Sequence, residues 1–382
     1  MKLSDVCYKI TDGSHNPPKG IEHSEYLMLS SKNIYDDCIT FSEPRYLSED
    51  EFISENRRTN IATNDLLITI VGTVGRVAIV PEEFPNVCLQ RSVAVLKLDN
   101  DKADSRFMMY QLQNMKSFFE TEAHGVAQKG LYLKQLESVK INCPPLETQR
   151  KIAANLDKVT HTIDLCNAIL EKLDLLVKSR FVEMFGEPVA NPYNFPIKTY
   201  GALFELNAGG TPSKAKKEYW ENGTISWIGS NMCQDSIIYE NDGKYITQEG
   251  YDNSSAKMFP IDTVLIALVG ATIGKTALLK FETSTNQNVL GVRGITDAGY
   301  NPLFVYYYTQ FLHSKFLNIG DGGFNMASKG FVSELPIYDI AIDYQNQFAI
   351  FAEQTDKTKS AVKKLLEKAE TLKKALMQEY FG

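Results

Sequence analysis

This 382-residue chain has no C-x-x-C pair and no histidine at zinc-ligand spacing. Its six cysteines, Cys7, Cys38, Cys88, Cys143, Cys166 and Cys233, are scattered. That dispersal argues against a disulfide framework and a structural zinc site, and leaves buried thiols as the expectation. Of the five histidines only His15 and His23 come close together, too little for a ligand set. The G-x-S-x-G, H-E-x-x-H and catalytic Cys/His signatures are missing, so an unaided enzyme is disfavoured. No apolar run reaches the roughly 18 residues of a membrane helix. MKLSDVCYKITDG also lacks the apolar stretch and cleavage site of a signal peptide, so the expected location is the cytoplasm, with no membrane partner.

A basic footprint is missing as well. The formal net charge is -7, and neither large segment is cationic: residues 1–143 carry 16 Lys/Arg against 20 Asp/Glu, and residues 187–342 carry 11 against 15. Binding to a polyanion would therefore need cations clustered by the fold, since the sum supplies none.

What the chain does have is a duplication. Asp65 to Ala78 reads DLLITIVGTVGRVA and Asp262 to Ala277 reads DTVLIALVGATIGKTA. At nearly the same offset YLSEDEF (Tyr46 to Phe52) matches YITQEGY (Tyr245 to Tyr251), Gln128-Lys129-Gly130 matches Ser328-Lys329-Gly330, and Phe185-Gly186 matches Phe381-Gly382. A period of about 190 residues is far beyond solenoid or propeller repeats, so the chain is two copies of a whole module. With 43% hydrophobic and 11% aromatic residues, each copy is long enough to bury its own core.

Each copy ends in a helical pattern. Ile152, Leu156, Val159, Ile163, Cys166, Leu170, Leu173 and Val177 step by four and three along a helix of about 35 residues, which would span roughly 50 Å. Phe351, Thr355, Thr358, Val362, Leu365, Ala369, Leu372 and Leu376 repeat the rhythm, with no glycine or proline from Phe348 to Phe381. Matching seams make the two helices each other's partners. Pro144-Pro145 marks the first helix start, and EPVANPYNFP, Glu187 to Pro196, is a turn-rich linker. The expected division is 1–143 for the first module, 144–186 for the first helix, 187–341 for linker and second module, and 342–382 for the second helix. Strand-like runs at Leu66 to Val71, Ser92 to Leu98, Val264 to Leu268 and Asn288 to Val292, with short helices at Phe107 to Phe119 and Leu303 to Leu317, make each module α+β.

Several motifs have a plain reading and a functional one. Gly270-Ala271-Thr272-Ile273-Gly274-Lys275-Thr276 falls one residue short of a P-loop, and Gly72-Thr73-Val74-Gly75-Arg76 is shorter still. Both read as tight strand-to-strand turns with positive φ at the glycines; the functional alternative has Arg76 and Lys275, at the turn tip, touching a phosphate or a base edge. Asn16-Pro17-Pro18-Lys19 lacks the aromatic that would stack on a flipped base, and no S-adenosylmethionine loop follows a strand. Asp12-Gly13-Ser14-His15-Asn16 and Gly209-Gly210-Thr211-Pro212-Ser213-Lys214 occupy equivalent places and pair a glycine with a hydroxyl residue, suiting either a loop cap or a phosphate or base contact. Trp220 and Trp227 read as core or loop anchors ahead of stacking platforms.

These residues together resemble the specificity subunit of a type I DNA restriction-modification system, over the whole chain. The most specific marks are GGTPSK (209–214), EYW (218–220), ISWIGSN (225–231) and DTVLIALVGATIGKTA (262–277); DGSHNPPKG with LSSKNI resembles another class of the same recognition domain, and PPLETQRKIAANLD (144–157) the family's conserved helical region. The second helix departs from that pattern: IDYQNQ (342–347) lacks the paired prolines and the glutamate before the glutamine. The resemblance implies two target-recognition domains, each followed by a long helix, the helices forming an antiparallel coiled coil with pseudo-twofold symmetry. It also implies a non-catalytic subunit that reads a bipartite target in double-stranded DNA and docks two methylation subunits and the restriction/translocase subunits. S-adenosylmethionine, ATP and Mg are then expected on those partners, with no cofactor on this chain. Candidate DNA-binding residues are Gly13, Ser14, His15, Asn16, Lys19, Arg76, Arg91 and Lys129 in the first module. In the second they are Gly210, Thr211, Ser213, Lys214, Lys216, Lys275 and Lys329. The alternative is a coiled-coil structural or interaction protein without DNA recognition.

Overall fold

A computed structural model describes residues 1–123, 130–319 and 326–382. It divides into two units, one made of Met1–Asn167 with Lys364–Gly382 and the other of Ala168–Lys363. In the first unit a four-stranded antiparallel sheet has the order Cys7–Asp12, Val93–Leu98, Leu66–Thr69, Val77–Ile79. A smaller sheet sets Tyr26–Leu29 between Arg45–Leu47, antiparallel, and Val87–Leu89, parallel. The second unit repeats the plan. Glu205–Ala208, Val289–Arg293, Val264–Ala267 and Thr276–Leu279 lie in the same order, with Ser236–Ile238 added at the edge. Its smaller sheet runs Tyr245–Ile246, Ile225–Ile228, Thr283–Thr285, Met258–Phe259.

The central strands read as unbroken apolar runs because both of their faces are covered. Leu66 and Ile68 enter one core and Leu67, between them, enters a second. Val264 and Ile266 do the same against Leu265 and Ala267. Alternate side chains of a strand point to opposite faces, so a sheet with a core on each side needs apolar residues at every position. The expected helices after each sheet form as two shorter ones, Ser105–Asn114 and Lys116–Glu122 in the first unit, Pro302–Phe311 and His313–Leu317 in the second. The glycine-bearing segments are the turns between antiparallel strands, and Gly72, Gly75, Gly270 and Gly274 all have φ between 74° and 86°. Of the cysteines, Cys88, Cys166 and Cys233 are buried, and burial pushes the Cys88 and Cys233 thiols up to about 12. Cys38 departs from expectation: it is exposed on the Ile34–Tyr35 and Cys38–Ile39 hairpin.

The long helices are Leu146–Phe185 and Ile342–Phe381, each 40 residues and longer than the periodicity predicted. Both belong partly to each unit. In the second unit Lys359 pairs with Asp174 while Tyr344 and Phe348 pack on Phe185, so the helices run antiparallel there. In the first unit Leu376, Met377, Tyr380 and Phe381 join a core that contains Leu156. No helix among the described residues is long and apolar enough to cross a membrane.

The seam of the first helix is as read, with Leu156, Cys166 and Val177 fully covered. The second differs. Thr358, Leu365 and Leu372 lie outward, the two leucines 51% and 49% exposed, and Lys359, Leu366 and Lys373 take the seam positions. Lysine serves there because its methylene stem covers apolar surface while its ammonium reaches a partner, Asp174 for Lys359 and the Tyr110 ring for Lys373.

Each helix is fastened at its head by a fully buried glutamine. Gln149 accepts the Asp104 N–H at 2.9 Å and donates to the Lys102 and Pro144 carbonyls; Gln345 accepts the Asn301 N–H at 2.9 Å and donates to the Ile340 carbonyl. At its foot each helix ends in Phe-Gly. Phe185 is fully buried against Phe304 in the second unit, and Phe381 lies 5.3 Å from Phe107 in the first. Truncating Phe381 to alanine should therefore loosen the first unit alone. We expect a loss of about 1–2 kcal/mol and, by hydrogen–deuterium exchange, faster exchange in the Ser105–Asn114 helix with Pro302–Phe311 unchanged.

Candidate nucleic-acid interface

The first strand of each main sheet leaves the sheet through a loop held by the same backbone bonds. Gly13 N–H donates to the Val93 carbonyl at 3.2 Å and Ser14 N–H to the Leu89 carbonyl at 2.7 Å. In the second unit Gly209 donates to Val289 at 3.1 Å and Gly210 to Thr285 at 2.8 Å. The approach is so close that a Cβ on Gly13 would stand 2.1 Å from the Leu89 carbonyl oxygen, and one on Gly209 2.1 Å from the Thr285 hydroxyl. Glycine is required at this point by contact, and the side chains that follow are free to differ.

They do differ. In the first unit His15, Asn16 and Lys19 are exposed, and Arg91 stands exposed on the neighbouring loop, its N–H bonded to the Ser14 carbonyl. His15 and Arg91, together with Asp12, Arg58, Ile70 and Tyr132, line a cavity of 450 Å³. In the second unit Thr211 donates to Gln287 at 2.5 Å, so a neutral pair stands where His15 and Arg91 stand in the first. Ser213, Lys214 and Lys216 are exposed beyond it. Lys214 has no polar partner among the described residues, whereas Lys216 donates to the Tyr219 hydroxyl at 2.8 Å, a bond that raises its pKa and keeps it charged.

The tryptophans hold this loop. Trp227, nearly buried, donates Nε1–H to the Gly210 carbonyl at 3.0 Å, and Trp220 donates to the Ser213 carbonyl at 3.1 Å, with the rings edge to face at 5.1 Å. Both are loop anchors, the first of the two readings.

Other candidates lie elsewhere. Arg76 follows the turn tip instead of forming it: its guanidinium sits 4.6 Å over the Tyr35 ring and donates to the Ile34 carbonyl at 3.5 Å. Lys275 likewise folds back, donating to Gln234 Oε1 at 3.0 Å. The turn glycines carry the bend, and the cation after them serves its own module. Lys329 is exposed in the first turn of the Lys329–Ser333 helix. Lys129 lies outside the described residues. The pairing of Asp12 with Arg58 escaped sequence reasoning because 46 positions separate them, and the one available signal was the Arg57-Arg58 pair in the last turn of the Glu49–Thr59 helix. Among the described residues no three His, Cys, Asp or Glu side chains converge as metal ligands.

Replacing Trp227 by phenylalanine keeps the buried ring and deletes its N–H. A buried Gly210 carbonyl left without its partner should lower stability by about 1–3 kcal/mol, read by urea unfolding, with faster amide exchange across residues 209–214.

Comparison with known proteins gives this geometry a family. A model of the type I restriction modification DNA specificity domain matches residues 3–175 and again residues 192–371. The specificity subunit of the Escherichia coli EcoR124I/EcoR124II type I restriction enzyme is 25% identical over 205 residues, covering 52% of this chain and 50% of that protein. The putative MjaX specificity subunit of Methanocaldococcus jannaschii is 34% identical over 110 residues, 29% of this chain and 25% of the relative. The chain thus spans about half the length, or less, of these curated relatives. Among solved structures the S subunit of the M. genitalium type I restriction-modification system superposes with a TM-score of 0.66 at 15% identity, covering 100% of this chain and 95% of that one. At that identity the likeness shows the fold. With two separate matches that take in both modules and most of each long helix, the chain belongs to the type I restriction modification DNA specificity domain family.

Proposed function

We propose that this chain is the DNA sequence-recognition subunit of a type I restriction-modification complex. Each module reads one half of a bipartite target in double-stranded DNA, and the long helices set the unread gap between the halves. The observation that carries the reading is the pair of loops after Gly13 and Gly209: identical backbone anchoring on equivalent sheets, with unlike side chains presented to solvent. A scaffold used twice with different words at its reading edge suits a target whose two halves differ in sequence.

Chemistry is left to partners in this reading. Two methylation subunits carry S-adenosylmethionine, and restriction/translocase subunits carry ATP and Mg; the chain itself binds no cofactor and works in the cytoplasm. Docking falls to the long helices, which leave Leu165, Leu175, Leu365 and Leu372 substantially exposed. A structural neighbour with a TM-score of 0.57 comes from work on complex assembly of the type I R-M system, in keeping with that role. Of the candidate residues, His15, Asn16, Lys19 and Arg91 in the first module and Thr211, Ser213, Lys214 and Lys216 in the second are assigned to the DNA face. Gly13, Ser14 and Gly210 position them. Lys329 is kept as a further candidate, and Arg76 and Lys275, folded back onto Tyr35 and Gln234, are not assigned to that face.

Methylome sequencing of cells expressing the complex tests the proposal. The expected result is adenine methylation at one bipartite motif with a fixed gap, and the gap should shorten when one heptad is deleted from each helix. A contiguous motif, or a gap indifferent to helix length, would overturn it.

A further inference from the structure

The first module carries a polar constellation that has no counterpart among the described residues of the second. Asp12 is 5% exposed, yet its two carboxylate oxygens serve two different side chains. Oδ1 accepts from Nη2 of Arg58, and Oδ2 meets Nε2 of His15 at 2.9 Å. Arg58 also donates from Nε to Thr11 Oγ1 at 3.3 Å. One edge of the guanidinium is thus held by protein. Nη1 and the second hydrogen of Nη2 have no polar partner among the described residues, which leaves them as an end-on pair of donors, and Arg58 lines the 450 Å³ cavity together with Arg91 and His15.

Two kinds of DNA group could meet that fork, a phosphate or a base edge. A phosphate contact gains from net positive charge and tolerates a mobile cation, so a buried carboxylate touching both Arg58 and His15 works against it. A base edge needs the reverse: a fixed guanidinium plane and two parallel donors matched to two acceptors. Guanine presents such acceptors, O6 and N7, in the major groove. We propose that Arg58, oriented by Asp12 and Thr11, reads a guanine in the half-site contacted by the first module. The inference rests on the DNA-recognition reading above and adds a base and a residue to it.

Among the described residues the second module has no equivalent. Asn207 and Ala208 hold the ladder positions of Thr11 and Asp12, and the nearby cation is Lys257, donating to Asn207 Oδ1 at 3.2 Å. A lysine with no carboxylate to orient it has no fork to present.

Selection of bound duplexes from a randomised pool, with the full chain assembled with its methylation subunits, tests the assignment. The wild type should select a bipartite sequence with one strongly required G·C pair in one half. Arg58→Lys keeps the charge and removes the fork, so preference for that pair should fall roughly 5- to 150-fold while every other position and the second half-site stay as they were. Asp12→Asn, close to isosteric, should weaken the same preference and leave the second half-site as it was. Thermal unfolding matched to wild type separates these effects from misfolding. An unchanged motif in Arg58→Lys overturns the assignment, and so does uniform weakening on all sequences with base preference intact, which marks a phosphate contact. A wild type that selects no bipartite sequence overturns the functional reading itself, and this inference with it.

Discussion

Neither module closes its core with its own contiguous residues. The second core includes Phe181 and Phe185 from the end of the first helix, and the first includes Tyr380 and Phe381 from the end of the second. This constraint explains features that otherwise look unrelated. Both helices have the same length, 40 residues, because each must begin on one core and end in another. Both carry Phe-Gly at this point, an aromatic that packs into a core, and after the first helix Gly186 at φ 72° bonds back to Val182 and turns the chain out of the helix. A dipeptide repeat at the end of each copy is thus the trace of a packing requirement.

The glutamines at the helix heads complete the constraint. A helix start leaves N–H groups without partners, and a buried start must satisfy its surroundings with side chains. Gln149 and Gln345 do so by reaching sideways to the residue that caps the next helix, Asp104 or Asn301, joining two helix starts through one amide. IDYQNQ lacks the prolines and the preceding glutamate of PPLETQ, yet the bond to the module is made by the glutamine both share. The departure from the family pattern falls on side chains that this junction does not use, since Pro144 and Ile340 enter it only through their carbonyls.

The duplication, the two long helices and the glycine turns were legible in the sequence because each rests on local rules: period, helix spacing and positive φ. The second seam was misassigned for an equally physical reason. Leucine at 365 and 372 fits a hydrophobic rhythm better than lysine at 359 and 373, and sequence hydrophobicity cannot register a methylene stem whose charge finds Asp174 or the face of Tyr110. The loops after Gly13 and Gly209 could be located but not resolved. Their positions follow from glycine, whereas the partnerships of Arg76 with Tyr35 and Arg58 with Asp12 join residues that only the tertiary fold brings together.

The same separation between framework and loop explains how one fold can hold two different surfaces. Backbone bonds from Gly13 and Ser14, or from Gly209 and Gly210, tie the loop to the sheet without involving a side chain, so substitutions beyond them do not disturb the core. The first module places a buried carboxylate against Arg58 and His15; the second has a Thr211–Gln287 pair next to Gly210, whose carbonyl Trp227 holds. Charge orients groups in one, and neutral hydrogen bonds with aromatic packing orient them in the other. A duplicated scaffold can diverge in this way only where its anchoring chemistry is independent of what it displays, and in both copies that boundary falls within two residues of the last strand position.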